Sequence, residues 1–323
     1  MLTLQALDFR ASPSKAPPPV LGKPIGAKRP RFGICDSVEA LDRALSGLVE
    51  QSALAARAAM QGGMMASHNL VRALSTPAES TGTAALVLYE YPFNEGIRTM
   101  LRLEHLFDRL GQLMARDTAM DHHFALASIF EIMDVAARAD LKSDLLKELE
   151  RHRAQLNSYR GNPSISEAAL DEVIGRIDQA FNGLNQLSGK AGHVLTSNEW
   201  LMSIRSRINI PGGTCEFDLP AYYAWQQYDA NRRRADLLNW TSTLMPMAQA
   251  LQVLLGLLRD SGTPHRVAAN GGQFQQSLTA GRTYQLLRMR IDPSLGLVPE
   301  ISGHRLMVSI RLMKQDDEGR LKN

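Results

Sequence analysis

LVLYEYPFNEGIRTMLRLEHLFDRL, Leu86 to Leu110, changes period in its middle, and that change sets the fold class. Leu86 to Tyr91 is a β-branched and aromatic run that reads as a strand. Pro92 ends it, and Asn94 can cap a helix by accepting from an orphan backbone N–H. From there Ile97, Met100, Leu101, Leu103, Phe107 and Leu110 recur at helical spacing. On the other side Arg98, Arg102, His105 and Arg109 fall at i, i+4, i+7 and i+11, a basic stripe along one helix face. A strand running into an arginine-ridged helix carries no nucleophile, no phosphate-cradling glycine loop and no metal spacing.

Downstream of this unit the pattern stays helical to about Asn209. Asp121–Ala139 and Ser143–Tyr159 read as helices, with Ser143 as the cap of the second. Ser164 and Glu167 form a capping-box pattern ahead of the next. Its apolar positions Leu170, Ile174, Ile177, Phe181 and Leu184 step by four and three, a seam suited to internal packing and also a candidate dimer face. NIPGGTCEFDLP breaks the period with turn chemistry between short extended pieces. Helices return at 221–228, 230–244 and 247–259, and beyond Gly262 the pattern is strands. TYQLLRMRID sets Leu287, Met289 and Ile291 on one face and Arg288 and Arg290 on the other. HRLMVSIRLM does the same with Leu306, Val308, Ile310 and Leu312 against Arg305 and Arg311, which predicts a sheet with one buried face and one arginine-studded face without acidic partners.

The expected class is therefore α+β: a mostly helical domain packed with a smaller antiparallel β-domain that includes the strand at 86–91. The expected boundaries are a disordered or weakly helical extension over 1–84, a helical domain over 85–209, a β-domain over 210–313 with helices 221–259 inserted, and a flexible tail over 314–323. In the extension, SPSKAPPPVLGKPIGAKRPR has little to bury, and a weak helix runs from about Val38 to Met60. The first residues have some transit-peptide flavour but no Sec-type pattern, and a true start near Met64 or Met65 would leave the folded domain unchanged.

At 323 residues with 44% apolar and 21% charged residues, the chain can bury a real core. Cys35 and Cys215 are its only cysteines, which excludes a disulfide framework and favours a reducing compartment. The longest apolar helix core, Met247 to Leu258, is well short of the roughly 20 residues that span a bilayer. Charge is polarised: residues 85–201 carry 12 Lys/Arg against 17 Asp/Glu, and residues 202–323 carry 15 against 10. Such asymmetry suits a surface that meets something negative, or association between unlike halves. Cys215 has no histidine at a diagnostic spacing, and adjacent His122 and His123 diverge on a helix and cannot share a metal. No enzyme and no cofactor is expected.

Four stretches together carry a resemblance: LVLYEYPFNEGIRTMLRLEHLF, LLKELERH, RSRINIPGGTCEFDLPAYYAW and VPEISGHRLMVSIRLM. From Leu86 to about Met313 the chain resembles ZapD, the Z-ring-associated protein D family of bacterial cell-division factors. The resemblance implies a helical domain plus a β-domain in a homodimer that binds the C-terminal peptide of the tubulin-like protein FtsZ. It further implies cross-linking of FtsZ filaments in the cytoplasm at midcell. The family meets its partner largely through positive groups, and the matching positions here are Arg102, Arg138 and Arg311, with Arg305 and its neighbour His304 in SGHR. Tyr223 stands where relatives can have histidine, Met307 where they can have arginine, and Glu199 replaces a basic residue. Arg266 and Arg288 join the set on the strand pattern alone. The alternative is a nucleic-acid-binding protein using the basic C-terminal half. Against it, the strand arginines lack interleaved aromatics and no helix-turn-helix accompanies them, so no nucleic acid and no membrane insertion are expected.

Overall fold

The computed structural model describes residues 2–12, 86–137, 141–262, 264–316 and 318–322. It has the α+β class: eight α-helices and two antiparallel sheets among the described residues. In chain order these are β1 (Leu2–Ser12), β2 (Val87–Pro92), α1 (Glu95–Met114), α2 (Ala119–Ala136), α3 (Leu141–Asn157) and α4 (Glu167–Gln186). After a 3₁₀ turn at His193–Ser197 come α5 (Glu199–Arg207), α6 (Pro220–Gln226), α7 (Ala230–Ser242) and α8 (Met245–Asp260). The remaining strands are β3 (His265–Ala269), β4 (Gln273–Ser277), β5 (Thr283–Ile291), β6 (Leu297–His304), β7 (Met307–Gln315) and β8 (Leu321–Lys322). No single described helix is long and apolar enough to cross a membrane.

Two compact units result: a helical one over residues 99–256, and a β-rich one whose described parts fall within 2–12, 86–98 and 257–322. Helices α6 and α7 and most of α8 thus group with the helical unit, rather than forming an insertion in a β-domain that starts at residue 210. NIPGGTCEFDLP holds consecutive turns and no strand. Its Gly213 sits where a Cβ would lie 2.8 Å from the Arg207 carbonyl oxygen, so the loop closes only around a glycine.

In the helical unit several starts differ from expectation. Asn94 caps α1 as expected, its Oδ1 accepting from Ile97 N at 2.9 Å. Thr118 caps α2, which stops at Ala136. Helix α3 begins at Leu141, so Ser143 lies inside it. Ser166 rather than Ser164 caps α4, while the Glu167 carboxylate accepts from Gly161 N at 2.7 Å. The α4 seam is core: Leu170, Ile174, Ile177 and Leu184 are buried and pack with α3, whose Leu145, Leu149 and Leu156 are buried too. Arg153 of α3 reaches over it, pairing with Asp178 at 3.1 Å and lying over the Phe181 ring. That face is not available for a dimer.

In the β-rich unit the first sheet has the order β2-β5-β1-β3 and the second β4-β7-β6, with β8 on the end of β7. Their facing residues form one core: Leu287, Met289 and Ile291 from β5 meet Val308, Ile310 and Leu312 from β7. As expected, the 86–91 strand joins this unit, Tyr89 opposite Met289 and Glu90 opposite Arg288. Tyr91 and Phe93 then clamp β6. The Tyr91 hydroxyl accepts from Gly303 N at 3.0 Å, and a Cβ on Gly303 would fall 2.8 Å from Phe93 Cε1. Only glycine fits there.

Two segments expected to be unstructured are paired. Leu2–Ser12 is a strand bonded on both sides, to β3 and to β5. On the β3 side its register slips between Leu4 and Leu7, where the apolar positions change from even (Leu2, Leu4) to odd (Leu7, Phe9). An irregularity of this kind hides an alternation from a strict period-two reading. The other expectations for the extension lie outside the described residues. At the C-terminus β7 runs to Gln315 and β8 pairs back on it, through a turn in which the Asp316 carboxylate accepts from Glu318 N and Arg320 N.

Candidate partner-binding surface

The sequence-expected residues divide between the two units. Arg102 on α1 and Tyr223 on α6 are exposed in the helical unit, while Arg138 lies outside the described residues. The ridge on α1 is not uniform. Arg98 pairs with Glu95 at 3.4 Å, and Arg109 turns to α2, reaching Glu131 at 2.6 Å and Ser128 Oγ at 3.0 Å.

In the β-rich unit the arginine face does have acidic partners, contrary to expectation. Glu90 stands directly opposite Arg288 on the neighbouring strand, 2.9 Å from its Nε, and also takes two hydrogen bonds from Arg259. The Arg288 and Glu90 side chains are only 17% and 14% exposed, so this cluster fastens the sheet to the last turn of α8. Arg311, at the centre of the second sheet's outer face, pairs with Glu300 directly across on β6 and has Gln273 on its other side. Arg266 is exposed on β3, an edge strand of the first sheet.

Arg305 is not on a strand. His304 pairs with Met307, and Arg305-Leu306 is the two-residue turn of the β6–β7 hairpin. Arg305 and Arg311 therefore do not share one strand face. The tip is pinned rather than loose: Leu278 N donates to Leu306 O at 2.7 Å, and Leu306 N donates to His304 Nδ1 at 3.3 Å. Leu306 and Met307 are 53% and 38% exposed, so the tip presents a basic group beside bare apolar surface. The sequence reading missed it because no described non-glycine residue has positive φ. A turn that asks for no glycine or asparagine leaves no turn signal, and the alternation reads straight through it.

Other chemistry-bearing residues serve packing. His122 is fully buried, its Nε2–H donating to the Arg116 carbonyl at 2.9 Å while its Nδ1 accepts from Arg233 Nε at 3.0 Å. That arrangement needs the neutral ring, and burial holds its pKa below the ordinary value. Arg233 also donates to the Asp117, Gln226 and Tyr228 carbonyls, and Arg234 to those of Met114 and Arg116, so the pair staples the α1–α2 corner to α7. His123 Nδ1 accepts from the Tyr222 hydroxyl at 2.7 Å; burial lowers the histidine and raises the tyrosine. No cluster of three or more metal-ligating side chains occurs among the described residues.

Residues 101–311 match the family model described as ZapD, cell division protein. A cell division protein ZapD of Ralstonia pickettii (strain 12J) is 53% identical over 238 residues, covering 73% of this chain and 94% of the relative. Another, of Cupriavidus taiwanensis, is 55% identical over 234 residues, covering 72% of this chain and 92% of the relative. A third, of Ralstonia nicotianae, is 52% identical over 238 residues with the same coverage as the first.

Proposed function

Because this chain belongs to the ZapD family of cell division proteins, we propose that it is a non-enzymatic division factor that binds the C-terminal peptide of FtsZ and, as a homodimer, cross-links FtsZ filaments. The observation that carries the proposal is the match of residues 101–311 to a family whose members are cell division proteins. One peptide site per subunit can only decorate a filament, whereas two held in one dimer bridge filaments and gain avidity. The action belongs in the cytoplasm, at midcell.

The residues we assign to peptide contacts are Arg102, Arg138, Tyr223, Arg266, His304, Arg305 and Arg311. Arg288 is left to the fold, since its charge is spent on a buried carboxylate. At the hairpin tip a charge-assisted hydrogen bond from Arg305 and apolar cover from Leu306 and Met307 are available together. Arg311 reaches a peptide carboxylate only by sharing or releasing Glu300, so Arg305 contributes the more of the two.

Co-sedimentation with FtsZ filaments tests the proposal. The chain pellets with and bundles intact FtsZ, and does neither with FtsZ lacking its C-terminal peptide. Arg305→Glu combined with Arg311→Glu leaves the protein folded and dimeric but removes most bundling, and added salt weakens the wild type in the same direction. Bundling by the double variant at wild-type level would remove the hairpin from the site.

A further inference from the structure

The first sheet holds a strand from far upstream between two others. Its order, β2-β5-β1-β3, leaves β5 and β3 joined only through Leu2–Ser12. Among the described residues β3 has no other partner in that sheet; its far end turns into β4, where Gln273 N donates to Asn270 O at 3.1 Å. Both walls of this slot lie within the stretch that matches the family model, and the strand that fills it lies outside that stretch. The next segment of chain in the sheet is β2, on the opposite side of β5.

The walls ask for a strand of a particular pattern. With β1 in place Leu287 and Met289 of β5 are fully buried, as is Ala269 at the end of β3, where it stands opposite Leu2. Without β1, rows of backbone donors and acceptors on β5 and β3 would face each other above the core that Leu287 and Met289 line. An extended segment lying between them satisfies both rows. Register adds selectivity: opposite Leu287, Arg288 and Met289 stand Phe9, Asp8 and Leu7, in the order apolar, acidic, apolar. Asp8 is the only acidic residue of Leu2–Ser12, and it falls opposite the arginine that has Glu90 on its other side. The pairing is interrupted twice, between Leu4 and Leu7 against β3 and between Arg10 and Ala11 against β5. Each interruption removes ladder bonds, so the segment is held less firmly than an unbroken strand of its length.

We infer that the slot between β5 and β3 is a peptide-binding site, that Leu2–Ser12 is its occupant, and that a free peptide of the same sequence takes its place. The ligand class is an extended segment reading apolar, acidic, apolar opposite Leu287 to Met289. Arg266 rides on β3, so occupancy also sets whether that proposed contact stands in the sheet; this step alone rests on the proposed function.

The test keeps the whole chain. A protease site inserted after Ser12 is cut once the protein has folded, and a fluorescein-labelled synthetic peptide of residues 1–12 is added. The cut strand co-elutes with the body on size exclusion, and the labelled peptide replaces it one for one. A labelled peptide carrying Asp8→Lys binds at least about fivefold more weakly, because it sets like charges opposite each other. When dilution removes the strand, amides of Leu286 to Arg290 and of Val267 lose hydrogen-exchange protection together, and added peptide restores it. A strand that leaves while this protection stays unchanged overturns the inference, since the sheet then closes without it. A cut strand that no peptide replaces overturns it too, being a permanent part of the fold. Equal binding by the Asp8→Lys peptide overturns the ligand class. Emptying the slot weakens binding of FtsZ's C-terminal peptide; an unchanged affinity overturns the step to Arg266 and leaves the slot standing. Absence of FtsZ binding by the uncut chain overturns the proposed function instead.

Discussion

The two units are built in opposite ways. Among the described residues the helical unit comes from one part of the chain, residues 99–256, in which α3 packs on the following α4 and the α1–α2 corner is locked by Arg233 and Arg234 of α7. The β-rich unit is assembled from three distant pieces: β1, β2 and the strands after residue 264 meet in a sheet where the central β5 takes β1 on one side and β2 on the other. Local contacts can be read from periodicity; pairing across hundreds of residues depends on what arrives from elsewhere. All three tryptophans, Trp200, Trp225 and Trp240, cluster in the helical unit, Trp200 stacked on Trp240 and edge-on to Trp225, so fluorescence reports that unit alone.

The largest expected effect comes from breaking the long-range assembly. Deleting Leu2–Ser12 strips ladder hydrogen bonds from β5 and β3 at once. We expect β5 amides to lose hydrogen-exchange protection by several kcal/mol, at about 1 kcal/mol per lost bond, while the tryptophan transition keeps its midpoint. Unchanged protection at Leu286 to Arg290 would mean that the sheet closes without its third strand.

Arg233→Ala is the counterpart in the helical unit. Arg233 is 5% exposed and donates to His122 and three carbonyls, so its loss strands several buried acceptors. A loss of about 3–4 kcal/mol in urea unfolding followed by tryptophan is expected. Arg233→Lys recovers little, because an ammonium cannot fork to acceptors on four residues. A loss under about 1 kcal/mol would show that water replaces the guanidinium.

Legibility follows the same division. The strand-to-helix switch at Pro92, the Asn94 cap, the α4 seam and the inward faces of β5 and β7 were all legible, because each is a local pattern with a local cause. Cross-strand neighbours were not. Nothing near Arg288 or Arg311 in sequence announces Glu90 or Glu300, which arrive only through register. The Arg305-Leu306 turn was hidden by needing no special φ, and β1 by its register slip.

A third, smaller effect separates the units by pH. Burial pushes His152 on α3 down to about 4, with Arg151 adding to the shift, and burial also lowers His122 and His123; all three are in the helical unit. A depressed folded-state pKa leaves stability intact above the unfolded value near 6.5, and loses it as pH falls toward 4, because the unfolded chain takes up protons the native state refuses. For His152 the loss amounts to at most about 3 kcal/mol. The tryptophan transition should therefore move to lower urea between about pH 6.5 and 4, and His152→Gln should flatten that slope. A slope unaffected by the substitution would place the proton uptake elsewhere.

The smallest effect on folding is expected at the hairpin, where a null result in stability is the informative one. Arg305 lies in the exposed turn, and its side chain makes no ion pair among the described residues. Arg305→Ala should shift urea unfolding by less than about 0.5 kcal/mol. Arg311→Ala removes a cross-strand pair but leaves Glu300 half-exposed to water, so its cost stays within about 1 kcal/mol. Binding should rank the two the other way about from their ease of reading as strand residues. Arg305 offers its charge without first surrendering a partner, whereas Arg311 must share Glu300's. Titrating FtsZ's C-terminal peptide against each single variant gives the order, with Arg305→Ala losing more affinity than Arg311→Ala. Glu300→Gln sharpens the comparison: it frees Arg311, and peptide affinity should rise above wild type. If Glu300→Gln lowers affinity instead, the ion pair positions Arg311 for the peptide, and the cross-strand acid belongs to the binding surface rather than competing with it.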